Sequence, residues 1–187
     1  MKITVHKFSE KDIPDRVNWI NDIRINRHMH FDLPASIINT ENWFKAISVS
    51  HSRIDLVFKD EKGKVLAMAG FADINLHHQN AEFYIFINPD EQGRGYGRRV
   101  TKWMINYGFL KYGLNKIYLY TDTDNSGAMK LYENLGFVKE GVQRKHRFKN
   151  GSFKDKAAFG MLRSEWLNMP WAEKEINLEV EGSEIKN

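Results

Sequence analysis

Ile3-Thr4-Val5-His6-Lys7-Phe8 alternates apolar and polar residues with period two, which predicts a half-buried strand. Ser9-Glu10-Lys11-Asp12 then offers helix-start chemistry, and Pro14 suits a first turn because its missing N–H has no partner to lose there. A helical stretch through Val17, Ile20 and Arg24 follows, interrupted by Phe31-Asp32-Leu33-Pro34, and a second helix is expected to start with Thr40 as its cap. Two β-rich runs, 54–59 and 65–75, flank Asp60-Glu61-Lys62-Gly63-Lys64, whose glycine and polar residues mark a hairpin loop. A third run covers 81–87. The period then changes: Val100, Trp103, Met104 and Tyr107 recur at i, i+3, i+4 and i+7, predicting an amphipathic helix that ends near Tyr112-Gly113. A strand over 116–121, a short helix from Ser126 closed by Gly136, and a last hairpin about Lys149-Asn150-Gly151-Ser152 complete the pattern. The class is α/β, a mixed sheet with helices.

The length of 187 residues suits one domain, with 1–170 as its body and 171–187 as a tail. Net charge is +4, yet Trp171 to Asn187 carries five Glu against two Lys, which leaves +7 on the body. That basic excess fits nucleic acid, an anionic cofactor or an acidic substrate and does not choose among them. The chain has no cysteine, so disulfides, Cys-ligated metals and thiol nucleophiles drop out together. Met1-Lys2-Ile3 opens an alternating strand rather than a signal region, and no apolar run approaches the roughly 20 residues of a bilayer crossing. The expectation is a cytoplasmic protein.

The densest chemistry lies in Gln92-Gly93-Arg94-Gly95-Tyr96-Gly97-Arg98, between a strand and a helix. Glycines let backbone N–H groups converge, and the following helix adds its unpaired N–H groups and positive dipole end, so such a loop cradles phosphate. A flexible turn before a basic helix face has the same composition. Two familiar phosphate loops do not match: Gly-Lys-Ser/Thr is missing, and the dinucleotide fingerprint needs its glycines tight against a first strand.

The Q-x-x-G-x-G pattern of Gln92 to Gly97 resembles the acetyl-coenzyme A pyrophosphate loop of the GNAT family of N-acetyltransferases. Asn125-Ser126-Gly127-Ala128, Leu131-Tyr132-Glu133 and Gly136-Phe137 resemble the family's second cofactor segment, in the expected order after the next strand. Ala81 to Ile85, and Gly141 to Arg144 through Asn150-Gly151 and Asp155, are similar to the branch of ribosomal-protein N-terminal, spermidine and amino-sugar acetyltransferases. The resemblance reaches to about Trp166. It implies a twisted, mostly antiparallel seven-stranded sheet splayed at the cofactor, with about four helices.

It also implies direct attack of an amine on the acetyl-CoA thioester, with acetyl-CoA as cosubstrate and no metal. The expected acceptor is a protein N-terminus or an amino sugar, with polyamines and aminoglycosides as further amines, in a monomer or homodimer. Gln92, Gly93, Arg94, Gly95, Tyr96, Gly97 and Arg98 then hold the cofactor with Asn125 and Ala128, Asn125 serving either through its amide or as a helix cap. A backbone N–H near Ile87 polarises the carbonyl. Alternation puts Glu82, Tyr84 and Phe86 on one strand face, and by analogy Glu82 is the candidate general base, its alternatives being a solvent-facing or Arg-paired carboxylate. Tyr132 occupies the position from which family members protonate the leaving thiolate, although its Leu131, Leu135 and Met129 neighbours also fit a core aromatic. Asp32 and Tyr84 are candidate acceptor contacts.

His28, His30, His77, His78 and His146 lack helical i, i+4 ligand spacing and are expected at loops or the pocket rim, while Trp19, Trp43, Trp103 and Trp166 are expected in the core. Two rival functions stay in view: a non-catalytic acyl-CoA-binding module, opposed by the presence of both Glu82 and Tyr132, and a nucleic-acid binder, opposed by the missing aromatic stacking motif.

Overall fold

The computed structural model describes residues 2–29, 31, 33–174 and 180–185. Strand β1 (Ile3–Lys7) leads through a 3-10 turn (Glu10–Asp12) into α1 (Ile13–Asn21), with Pro14 in its first turn. Asp22 breaks the expected long helix: its backbone is extended and its side chain accepts from Arg24 N–H, so a separate α2 (Ile23–Asn26) begins. Helix α3 (Ile37–Ser48) is capped by Ser36, whose Oγ accepts from Asn39 N–H, and not by Thr40. Thr40 lies inside the helix, where its hydroxyl donates back to the Ser36 carbonyl at 2.9 Å. Strands β2 (Ile54–Asp60), β3 (Val65–Asn75) and β4 (Asn80–Ile87) form the meander. After it come α4 (Tyr96–Lys111), β5 (Lys116–Asp122), α5 (Ser126–Asn134), β6 (Val138–Lys149), β7 (Ser152–Leu162) and the single turn α6 (Arg163–Trp166). Asn150 and Gly151 both take positive φ, 49° and 77°, as the right-handed twist of the β6–β7 hairpin requires.

Among the described residues the sheet has eight strands in the order β6-β7-β5-β4-β3-β2-β1-β8, one more than expected. The additional strand, β8 (Ser183–Ile185), comes from the acidic segment and pairs antiparallel with β1. Val180 and Ile185 are buried, Gly182 N–H donates to the Val5 carbonyl, and Glu184 pairs with Lys2 at 3.2 Å. Upstream, the buried Asn106 side chain on α4 accepts from the Trp166 indole at 2.7 Å and from Glu173 N–H at 3.2 Å. Positions 171–185 thus include residues of the core and sheet.

Two apolar layers cover the sheet. Phe58, Phe71, Phe83 and Phe159 pack with Trp103 and Met104 of α4 on one face, while Val57, Met68 and Phe86 pack with Ile13, Val17 and Trp19 of α1 on the other. Strands β4 and β5 are the parallel pair, joined by α4 as the crossover such a pair needs. They touch over three residues only, ending at Glu82↔Tyr118. Beyond that point β4 stays on β3 to Ile87 and β5 stays on β7 to Asp122, so the strands part and a wedge opens in the sheet.

Gly70 sits between Asp55 and Tyr84 in the ladders, and the Tyr84 phenol crosses over it to reach the Asp55 carboxylate. A Cβ on Gly70 would lie 2.0 Å from the Ile54 carbonyl oxygen and 2.6 Å from Tyr84 Oη. Gly70→Ala is therefore expected to cost about 1–3 kcal/mol, the price of overpacking. Equilibrium urea unfolding measures it, and a midpoint equal to wild type would show that β3 yields without cost.

Candidate active site

A cavity of about 380 Å³ fills the wedge, walled by β4 and β5 and closed by α2, α5 and the loop before α4. The loop is built as its glycines require. Gly93 and Gly95 take φ of 78° and 82°, and a Cβ at either would meet nothing within 4 Å. Backbone conformation therefore selects glycine there, since a side chain at such φ is strained. Gly95 is the N-cap of α4 and contributes no side-chain bond to it, so the first-turn N–H groups face the cavity mouth without a capping side chain. Gln92, Gly93, Gly95, Tyr96 and Gly97 all line the cavity. Arg94 and Arg98 do not belong to that lining: Arg94 binds the buried Glu91 at 2.9 Å, and Glu91 also holds Lys64. Asn125 caps α5, its Oδ1 accepting from Ala128 N–H at 3.2 Å, and both residues line the cavity. The cap occupies the oxygen and leaves the amide NH₂ as the group that can face a ligand.

At the other end of the α4 loop, Asn88 N–H donates to the Leu66 carbonyl on β3. By the alternation of an antiparallel ladder, the N–H groups of Ile85 and Ile87 point away from β3 and into the wedge. The β3–β4 ladder is continuous from Glu82 to Ile87, its irregularity falling between Ala72 and Asn75 on β3. Divergence of β5, rather than a bulge in β4, is what leaves these donors unpaired by strand.

Glu82 stands where the wedge begins, half-buried and on the cavity wall. Burial pushes its carboxyl above the ordinary range; Asp73 pushes the same way, against the pull of Lys156 and Arg53. Tyr132 projects from α5 into the cavity lining and packs edge-on against Phe137 at 5.7 Å. Burial raises its phenol pKa, which keeps the proton on the oxygen at neutral pH. Tyr84 also lines the cavity, but its hydroxyl is committed to Asp55. Asp32 lies outside the described residues.

Two arrangements had no signal in the spacing of the sequence. One is behind Tyr84: Arg53 forks onto Asp55 at 2.8 and 2.9 Å, and the buried Arg16 guanidinium lies 4.0 Å from the centre of the Trp43 ring. The other joins residues about a hundred positions apart. His28, expected at a rim, is 19% exposed and sits 3.7 Å from Asp122 and 3.6 Å from Asp124. Arg147 of β6 binds the buried Asp122 and donates to the carbonyls of Met29 at 2.6 Å and Arg27 at 3.3 Å, pinning the segment after α2 across the cavity.

The acetyltransferase (GNAT) domain family model matches residues 2–138, most of the chain, and the protein belongs to that family. The chain is 36% identical over 112 residues to the spermidine N(1)-acetyltransferase of Vibrio cholerae, covering 60% of this chain and 65% of that protein. It is 33% identical over 105 residues to the Escherichia coli enzyme of the same name, covering 56% of each. The aligned stretch is thus less than two thirds of either relative's length. The fold is similar to the crystal structure of the Vibrio cholerae spermidine N-acetyltransferase in complex with CoA and spermine, with a TM-score of 0.84 and 29% identity over 89% of this chain and 98% of that one.

Tyr132→Phe is expected to lower kcat about tenfold or more, as loss of a general acid does, while leaving acetyl-CoA affinity within about twofold. Steady-state kinetics check it, and an unchanged kcat would return Tyr132 to the core.

Proposed function

We propose that the protein is an acetyl-CoA-dependent N-acetyltransferase acting on a small linear amine of the polyamine class. The observation that carries the reading is the wedge between β4 and β5, which opens on a glycine loop at a helix N-terminus and narrows to Glu82. In it the loop and the first turn of α4 hold the pyrophosphate, and the N–H groups of Ile85 and Ile87 face the thioester carbonyl. Glu82, directly or through water, takes the proton from the ammonium. The freed amine attacks the carbonyl carbon, the C–S bond breaks as the C–N bond forms, and the Tyr132 phenol gives its proton to the departing thiolate. The surplus proton of the new amide nitrogen leaves to solvent, from which the phenolate is reprotonated. Polyamines move ahead of the protein N-terminus and amino sugar because both curated relatives named above are spermidine acetyltransferases.

Thermal unfolding with and without acetyl-CoA tests the cofactor half. At a concentration 100 times Kd a native-state ligand adds about 2.7 kcal/mol, or a rise in Tm of roughly 5–10 °C for a chain of this size. Thiol release in the presence of spermidine tests the acceptor half. A shift with NADH or ATP in place of acetyl-CoA would overturn the reading.

A further inference from the structure

Strand β5 turns Ile117 and Leu119 into the core under α4, so alternation puts Tyr118, Tyr120 and Asp122 on the opposite face, shared with Glu82 and Tyr84. Glu82 stands beside Tyr118 in the register. From Tyr118 to Asp122 is four residues of strand, about 13 Å. The result is a row with a carboxylate at each end and two aromatic rings between, Tyr118 and Tyr120 meeting edge to face at 5.9 Å. Aromatic rings accept methylene chains and cationic nitrogens alike.

The far end of the row is built around incomplete bonding. Asp122 is 1% exposed; one carboxylate oxygen binds Arg147, and the other, Oδ1, has no hydrogen-bond partner among the described residues. His28 Nδ1 is buried and unpartnered in the same sense. Asp124 gives one oxygen to Lys154 at 2.8 Å and turns the other toward His28 at 3.6 Å. The ligand atoms of the three residues lie within 4.8 Å of one another, and His28 and Asp122 line the cavity. Burial and the neighbouring Arg27 pull the His28 pKa below its usual value, against Asp124 and Asp122, so the neutral ring can offer Nδ1 as an acceptor.

We propose that Asp122, His28 and Asp124 hold the second ammonium of the acceptor while its first ammonium reacts beside Glu82. The inference rests on the acetyltransferase reading above and gives its acceptor a length. His28 Nδ1 meets Asp122 through the oxygen that Arg147 also holds, with Asp124 beside both, and a primary ammonium brings three donors to such a cluster. Arg147 and Lys154 pair with the two carboxylates and Arg27 stands nearby, so net charge draws no divalent ion here, and what the site offers is hydrogen-bond acceptance for a group with hydrogens to give. Terminal nitrogens nine bonds apart, as in spermidine, span about 11 Å when extended, at the roughly 3.5 Å per three bonds of an extended chain. That length runs from Glu82 to the cluster past Tyr120, the ring of the pair that lines the cavity. Lys156, whose Nζ lies 5.7 Å from the Tyr120 ring centre, faces the same row and opposes a charge midway along it.

The test is kcat/KM, by thiol release from acetyl-CoA with the full chain, for propylamine and for α,ω-diamines of increasing length in the presence of a chelator. Specificity is expected to rise with length and to peak near nine to eleven bonds. Asp124→Asn and His28→Ala, two substitutions that leave the buried Asp122–Arg147 pair intact, are expected to lower the ratio of long diamine to propylamine about tenfold, the value of a charge-assisted hydrogen bond. Lys156→Gln is expected to raise kcat/KM for spermidine, which carries an ammonium midway, relative to the α,ω-diamine of equal length. An enzyme that acetylates amines with no dependence on length, or variants with an unchanged ratio, would overturn the proposal while leaving the acetyltransferase reading standing. A length preference seen only without the chelator would assign the cluster to a divalent cation and overturn it too. Failure to acetylate any amine would remove both.

Discussion

Glu82→Gln is expected to lower kcat/KM for the amine about a hundredfold, the lower range of what a positioned general base supplies, with acetyl-CoA stabilisation unchanged. The pH profile separates this role from a structural one. A base must be ionised, so wild-type activity falls with unit slope as pH drops through the Glu82 pKa, which burial holds above the ordinary carboxylate range. The glutamine enzyme should lose that limb. Stability should move the other way. A carboxyl whose folded-state pKa is raised binds more protons folded than unfolded, so the stability it contributes is lost as pH rises from the ordinary value through the raised one. At neutral pH Glu82 therefore costs stability, and Glu82→Gln should melt at or above the wild-type temperature. An acidic limb that persists in the variant would remove Glu82 from the chemistry.

Arg147→Met is expected to cost about 3–5 kcal/mol, the usual result of leaving one member of a buried ion pair alone. That corresponds to a fall in Tm of roughly 10 °C for a chain of this size. The arginine is 9% exposed, and three groups depend on it: the Asp122 carboxylate and the carbonyls of Met29 and Arg27. Lys149 adds bonds to Met29 and Phe31 from the same hairpin but none to Asp122, so it does not replace Arg147. Arg147→Lys should recover only part of the loss, since an ammonium lacks the planar fork that reaches several oxygens at once. A double variant, Arg147→Met with Asp122→Leu, should be more stable than Arg147→Met alone because it removes the stranded charge. A single variant melting within about 2 °C of wild type would show that the hairpin and the segment after α2 are held by other contacts.

The sheet face of Glu82 and Tyr84, the Asn-Gly hairpin and the α4 stripe of Val100, Trp103 and Met104 were legible because each depends on neighbours two to seven positions away. Helix starts were less so. Ser36 and Thr40 are both good caps, and the backbone decided between them: Ser36 is extended, at φ −123° and ψ 155°, while Thr40 lies inside the helix. The loop at 92–97 announced its backbone through glycine, but the ion pair of Arg94 with Glu91 at 2.9 Å did not follow from the glycine pattern.

By itself the sequence determined the local geometry: the strand and helix periods, the positive-φ positions at Gly93 and Gly95, and the polar and apolar faces of β4. Those are consequences of short-range sterics and side-chain alternation, which a linear pattern records. Tertiary structure alone decided that β8 joins β1 across the length of the chain, that β4 and β5 separate after Glu82↔Tyr118, and that His28 meets Asp122 and Asp124. Each of these depends on segments far apart in sequence whose joint burial fixes their distance, and spacing along the chain carries no trace of it.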